Sequence, residues 1–198
     1  MTFQKIILAV IGGWCLGNPI YAATSKTTVT SNSASSYTWH DDRGAHSVQL
    51  TPDLIAEFGY TRESNVKNIA PNAQTIKASS GAVRIWQISG ETGAQAMQKT
   101  RAAYPAGKYS PVFRDGGRLR ALPGNIIVRF KPEWTETMCN NWLETQQLTL
   151  VNKLNAGNNT YVIKTEPGLA ALTLANRIHQ SGDVVFAHPN WWTEVGKK

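Results

Sequence analysis

The pattern of apolar and polar positions is clearest in the second half of the chain. Within 125–130, Ile126, Val128 and Phe130 alternate with other residues, which predicts a strand with one apolar face. Apolar residues then recur at helical spacing between Thr135, a suitable N-cap, and about Gln147; they are Met138, Cys139, Trp142 and Leu143. Further strands are predicted at 148–154, 160–165 and 184–188, and a second helix at 169–180, with Gly182 as its left-handed cap.

The resulting order, β-α-β-β-α-β, is that of the split βαβ or ferredoxin-like arrangement, in which two helices cover one face of four antiparallel strands. We therefore assign 119–190 to a ferredoxin-like α+β domain. If the alternation holds, the open face of this sheet carries Ile127, Val151, Val162 and Val185. An open apolar sheet face is a candidate binding surface. The alternative is that the N-terminal part of the chain covers it.

The pattern is weaker in 37–118, which we interpret as a smaller α+β subdomain. Strands are predicted at 47–50, 82–88 and 109–114, and a helix at 92–104. Thr51-Pro52-Asp53 has the residues typical of a helix start, so a short helix is predicted through Phe58. The polar stretch 65–80 is predicted to be a loop.

The first residues resemble a secretory signal peptide. A short basic start precedes the apolar run Ile6–Leu16, Asn18-Pro19 interrupts it, and Ala22 suits the cleavage position. The run is short for a membrane anchor, which is the alternative. We expect 1–22 to be removed, 23–36 to be a flexible Ser/Thr-rich leader, and the mature chain to be secreted or periplasmic.

Composition excludes several classes of function. The formal net charge is +7, but Lys and Arg are scattered rather than clustered, so we expect no nucleic-acid partner. Cys139 is the one cysteine after the predicted signal peptide, so neither an internal disulfide nor a cysteine zinc site is expected. Its place on the apolar side of a helix favours a buried small hydrophobe over a catalytic thiol.

Candidate catalytic groups are few. His40, Asp41, Asp42 and His46 could in principle bind a metal ion, but the same residues are typical of a solvated polar loop, and we predict the loop. His179 and His188 have no Ser or Cys partner in a recognisable motif, and the chain contains no phosphate-binding glycine loop. We therefore expect a protein without enzymatic activity, metal or cofactor.

Four segments, taken in order, resemble the propeptide of subtilisin-like serine proteases. Leu122–Pro132 (LPGNIIVRFKP) is similar to the opening strand of that domain, and Leu148–Val151 occupies the usual place after the first helix. Asp183–Asn190 (DVVFAHPN) is similar to its closing strand. Upstream, Tyr109–Arg118 (YSPVFRDGGR) resembles the strand and turn that precede this domain in fervidolysin-like preproteases.

The resemblance implies a role as protease inhibitor or folding chaperone. Such propeptides pack their open sheet face on the protease, and the segment after the last strand lies in the active-site cleft as an added strand. Here that segment is the tail, 191–198, and the residues expected in the cleft are Trp191, Trp192, Thr193, Glu194, Val195 and Gly196. The alternative is that the two tryptophans close the protein's own core.

The sequence departs from the family in one respect: it contains none of the catalytic motifs around the protease Asp, His or Ser. We therefore expect the chain to act in trans on a separate subtilisin-like protease. Two alternatives stay open, a secreted binding module without inhibitory activity and a remnant of a longer preprotease.

Overall fold

The computed structural model describes residues 35–59, 63–79, 83–155 and 157–195, which form two antiparallel sheets and four helices. The protein is therefore of the mixed α+β class. Along the chain the elements are β1 (Ser36–Asp41), β2 (Gly44–Phe58), α1 (Asn65–Ile69), β3 (Gln74–Ser79), β4 (Val83–Gln87), α2 (Gly93–Ala103), β5 (Lys108–Asp115), β6 (Arg118–Ala121), β7 (Ile126–Phe130), α3 (Glu136–Thr145), β8 (Leu150–Lys153), β9 (Thr160–Ile163), α4 (Leu169–Gln180), β10 (Val184–Pro189) and β11 (Trp192–Thr193).

Sheet A has the strand order β11-β6-β5-β2-β4-β3, and β1 pairs with the first half of β2. Its two faces are packed differently. On the outer face, Val66 of α1 and Ala96 of α2 join a core cluster with Ile55, Trp86 and Tyr109. The inner face carries a second cluster made of Leu54, Ala56, Val83, Ile85, Val112, Leu119 and Ala121.

Strand β2 is long and irregular, and the predicted helix from Thr51 to Phe58 is wrong. The pairing of β2 with β5 shifts register between Thr51 and Ile55, so Pro52 lies where no regular ladder bond is needed. Beyond the shift, residues 54–58 pair with β4 on one side, and 55–58 pair with β5 on the other. Pairing with two distant strands outweighs the local helix-start signal.

The loop predicted at 65–80 is also wrong, because this stretch contains α1 and β3. The hydroxyl of Ser64 caps α1 by accepting from the Lys67 N–H at 3.2 Å. The buried carboxylate of Glu57 accepts hydrogen bonds from the Ser64 hydroxyl, the Asn65 N–H and the Trp86 indole N–H. These three bonds to one carboxylate fix the start of α1 against sheet A.

Sheet B has the order β10-β7-β9-β8, and every neighbouring pair is antiparallel. All six elements predicted for this half are present, with α4 at its predicted bounds and Thr135 as the N-cap of α3. One face packs under α3 and α4 in a cluster that includes Ile126, Val128, Phe130, Cys139, Leu143, Tyr161, Ile163, Ala171, Ala175 and Ile178. Met138 is the exception to the predicted helical face, since it is 47% exposed.

The two sheets meet along α4. Leu172 of α4 packs with Trp39, Val48 and Phe113 of sheet A and with Leu122, which follows β6, whereas Ala171 and Ala175 face sheet B. The Asn176 side-chain amide donates to the Thr38 carbonyl at 2.8 Å. Helix α4 is therefore buried on two sides.

The predicted signal peptide and nearly all of the predicted leader lie outside the described residues. The first described strand, β1, starts at Ser36. Within the described ranges, no helix is long and apolar enough to cross a membrane.

Candidate protein-binding surfaces

Of the four residues predicted as a contact surface, Ile127 and Val162 are register partners on the face of sheet B opposite its helices, whereas Val151 and Val185 lie at register shifts in the two outer strands. On the middle strands, Ile127 lies beside Val162 in the register; Ile127 is half-buried and Val162 is 8% exposed. On the outer strands, Val151 and Val185 are 49% and 42% exposed. The sheet thus presents apolar side chains mainly at its two outer strands, and their role as a contact surface stays a prediction.

Arg129 shields part of the middle of this face. Its guanidinium carbon lies 4.7 Å from the centre of the Phe186 ring, and its Nε donates to the Thr160 hydroxyl at 3.1 Å. Phe186 in turn stacks on His188, with ring centres 5.2 Å apart. Sequence analysis missed Arg129, although its position between Val128 and Phe130 put it on the face opposite the predicted core.

The N-terminal half contacts sheet B at the β10 side. Trp39 of β1 meets His188 of β10 edge to face, at 6.0 Å between ring centres. His40 of the same strand stacks on His179 of α4 at 4.4 Å. Burial lowers the pKa of His179, and the neighbouring His40 lowers it further.

The two tryptophans of the tail point to opposite faces of sheet A. Strand β11 pairs antiparallel with β6, with Trp192 opposite Ala121 and Thr193 opposite Arg120. Trp192 packs against the inner-face cluster, whereas Trp191 packs against the cluster that contains Trp39 and Phe113. Both indoles are half-buried in the protein itself.

Trp191, Trp39 and Arg120 form a compact group at the junction of the two sheets. The Trp39 and Trp191 rings are 5.9 Å apart, and the Arg120 guanidinium lies 5.3 Å and 5.8 Å from their centres. Arg120 Nε and Asp115 Oδ2 form an ion pair at 2.9 Å. The Nε–H does not point at the carboxylate, so the contact is not a hydrogen bond. Attraction between the cation and the two aromatic faces helps to hold Trp191.

Glu194 links the two ends of sheet A. Its backbone N–H donates to the Leu119 carbonyl at 2.9 Å, and its carboxylate accepts from the Leu119 N–H at 3.2 Å. The same carboxylate forms an ion pair with Lys77 of β3. Because β11 and β3 are the first and last strands of the sheet, this pair shows that sheet A curls around its inner face.

The electrostatics of Glu194 reflect these contacts. The hydrogen bond from Lys77 holds the pKa of Glu194 below its ordinary value, against the opposing effect of burial, and the Leu119 N–H adds to the lowering. Val195 extends into solvent at 85% exposure, and Gly196 lies outside the described residues. Binding of the tail in a protease cleft would therefore require β11 to leave β6; that role stays a prediction.

The polar residues near the start of the described chain are divided between two places. His46 Nε2 lies 2.8 Å from Asp41 Oδ1, whereas His40 points to α4. Burial tends to raise the pKa of Asp41, but hydrogen bonds from His46 and the Arg43 N–H leave it below its ordinary value. Among the residues that the structure describes, no three His, Cys, Asp or Glu side chains are grouped as metal ligands.

Cys139 is fully buried on the sheet-facing side of α3. Burial raises the pKa of its thiol, so the thiolate form is disfavoured. This supports the interpretation of Cys139 as a packed hydrophobe.

A cavity of about 420 Å³ beside sheet A is lined by residues that include Glu57, Asn65, Lys108 and Tyr109. The Glu57 carboxylate already accepts three hydrogen bonds, and the Tyr109 hydroxyl accepts one from the Asn65 amide at 2.7 Å. Burial raises the pKa of Tyr109. These groups are occupied in holding α1 in position.

No family model, curated protein or solved structure matches the chain.

Proposed function

We propose that this is an exported propeptide-like protein that binds a subtilisin-like serine protease in trans, as an inhibitor, a folding chaperone or both. We infer further that, within 119–190, the elements from β7 to β10 form a ferredoxin-like domain. The observation that carries both inferences is the strand order of sheet B. Counted within the domain, β10-β7-β9-β8 is 4-1-3-2 with two helices on one face, the arrangement that the sequence resemblance implies.

The exposed valines support a contact through the face of sheet B opposite its helices. Val151 and Val185 are close to half exposed on the two outer strands. Burying such side chains against a partner makes the free energy of binding more favourable by about 25 cal/mol per Å² of apolar surface removed from water. Ile127 and Val162 lie on the middle strands between them; Ile127 is half-buried and Val162 is buried.

The direct test is titration of the chain from Ala23 onward into a purified subtilisin-like protease, with hydrolysis of a small peptide substrate as the measurement. We expect saturable loss of activity. The combined change Val151→Asp and Val185→Asp should shift the inhibition curve to higher concentration by about tenfold or more, because each buried carboxylate would lack a partner. Full protease activity at every concentration would refute the proposal.

Met138→Asp is the matched control. Met138 is exposed to a similar degree as the two valines, but it lies on α3, in the layer on the other side of the sheet. The proposal requires this variant to inhibit like the unchanged chain. Equal weakening by Met138→Asp would mean that the sheet face is not the contact surface.

A second candidate function is a secreted binding module without inhibitory activity. The pairing of Trp192 and Thr193 with β6 favours it, because these tail residues are occupied within the protein. In the same titration this candidate predicts that the protease stays fully active and the chain stays intact.

A further inference from the structure

The outermost strand of sheet A is unusually short, and its removal would leave a receptive edge. Strand β11 contributes only Trp192 and Thr193, and β6 has no other neighbour on that side. Without β11, the backbone groups of Leu119 and Ala121 would face outward unpaired, since alternate residues of a strand present their N–H and C=O to the same side. Such an edge is a template for pairing with another extended chain.

The inner face beside this edge is apolar over several strands. Trp192 packs there with Phe58 against the cluster formed by β2, β4, β5 and β6. The face is built to accept one large aromatic side chain from a strand paired with β6. Since Trp192 is only half-buried, a related aromatic side chain could take its place without repacking the cluster.

Two residues further along, the same groove binds a carboxylate. Lys77 approaches it from β3, and the Leu119 N–H donates to it from β6. Arg114 adds positive charge near this end. A cation together with a backbone donor selects a carboxylate over a neutral side chain.

We propose that the β6 edge, the inner face of sheet A and Lys77 form a binding groove for an extended peptide from a partner protein, with an aromatic residue followed two positions later by a carboxylate. The chain's own residues 192–194 occupy this groove as an internal stand-in. Binding is strand addition: the backbone pairs with β6, and alternate side chains fill the aromatic and carboxylate positions. The proposal does not depend on a protease partner.

The regular pairing of the tail with sheet A is short. Its regular ladder is two residues long, and Val195 beyond it is 85% exposed. A tethered segment competes through its high local concentration rather than through its intrinsic affinity. A partner peptide can therefore displace it when it is abundant or makes additional contacts.

A charge exchange between groove and peptide tests the proposal. The probe is a dye-labelled peptide of residues 190–195, titrated into the full chain and followed by fluorescence anisotropy. In the Glu194→Lys chain the tail is repelled by Lys77, so the unchanged peptide should bind saturably, and at least about tenfold more tightly than to the unchanged chain. In the Lys77→Glu chain, the preference should reverse towards the peptide that carries Glu194→Lys.

Two controls distinguish binding of the peptide in the groove from non-specific binding. The peptide with Trp192→Ala should bind at least about tenfold more weakly to the Glu194→Lys chain, because the aromatic position is empty. The chain with both Lys77→Glu and Glu194→Lys should regain its internal pair and again exclude either peptide. Thermal unfolding with and without peptide checks that each variant is folded, because a peptide that binds the native state raises the unfolding temperature.

Other outcomes overturn the proposal. If neither chain variant binds a peptide, although both unfold cooperatively, sheet A has no exchangeable groove. Equal binding of peptides with and without Glu194→Lys would rule out the carboxylate position. If sedimentation shows that the variants dimerise and that peptide dissolves the dimers, the occupant is the tail of a second copy rather than a partner protein.

Discussion

Helices pack on one face of each sheet, but the two sheets differ in what covers the other face. In sheet A the strands curl, and Trp192 and Glu194 of the tail close the inner face. In sheet B, Arg129 shields the middle of the face opposite the helices, and Val151 and Val185 are exposed on the two outer strands.

The difference separates two kinds of surface. The inner face of sheet A is satisfied by the chain itself, so a partner must first displace the tail. The exposed face of sheet B can meet a partner without any rearrangement. The protease contact is for this reason proposed on sheet B, and the exchangeable peptide groove on sheet A.

The largest expected effect tests the covered face of sheet B. Phe130 is fully buried, and its ring centre lies 5.3–5.5 Å from the ring centres of Trp134, Trp142 and Tyr161. Phe130→Ala should lower the free energy of unfolding by about 3–5 kcal/mol, because it removes a buried aromatic and leaves a cavity. Urea unfolding followed by tryptophan fluorescence measures it. A loss below about 1 kcal/mol would contradict the assignment of this cluster as the core.

A smaller effect is expected where the tail closes sheet A. Trp192→Ala should cost about 1–2 kcal/mol, less than for a fully buried aromatic because the indole is half-buried. It should also increase binding of an apolar dye, since the inner-face cluster becomes accessible. Val195→Ala, at an exposed position three residues on, is the control and should change neither quantity. Unchanged dye binding in Trp192→Ala would mean that the tail does not cover the face.

Sequence analysis predicted sheet B well because its signals are local. Ile126, Val128 and Phe130 alternate within a single strand, Thr135 starts the following helix, and Gly182 with φ 76° ends α4. Each signal lies within a few residues of the element that it defines. The strand β10 was likewise predicted within one residue.

Sheet A was predicted only in part: β4, β5 and α2 lie within one residue of their predicted bounds, whereas β1, α1, β3 and the second half of β2 were missed because they depend on distant partners. Thr51-Pro52-Asp53 has a helix-start signal, but pairing with β4 and β5 makes the segment a strand. For the candidate sites, packing of the two tail tryptophans against the protein's own core was one of the two alternatives, and the structure shows it. The partner of Glu194 is Lys77, 117 positions earlier, and no local pattern connects the two.

A pH titration tests whether the ion pair of Glu194 with Lys77 holds the tail on sheet A. The pKa of Glu194 is lowered in the docked tail, chiefly by Lys77, so the ionised carboxylate stabilises docking above the ordinary glutamate pKa of 4.5. That contribution is lost as the pH falls through the lowered pKa. We expect an acid-induced change in tryptophan fluorescence that Glu194→Gln removes, with a free-energy effect of no more than about 1 kcal/mol.

The control for this titration is built into the variant, because Asp41 also titrates in acid and is present in both chains. Only the difference between the two curves reports Glu194. Identical curves between pH 7 and pH 3 would show that the ion pair with Lys77 does not hold the tail.

The smallest expected effect concerns the exposed face of sheet B. Val151→Asp and Val185→Asp should each change the free energy of unfolding by no more than about 0.5 kcal/mol, because both side chains are already close to half exposed. Thermal unfolding of each variant measures this. A loss above about 1 kcal/mol would make the valines part of the protein's own core. Stability without these apolar groups would instead mean that folding does not require them, which is the condition for a surface reserved for a partner.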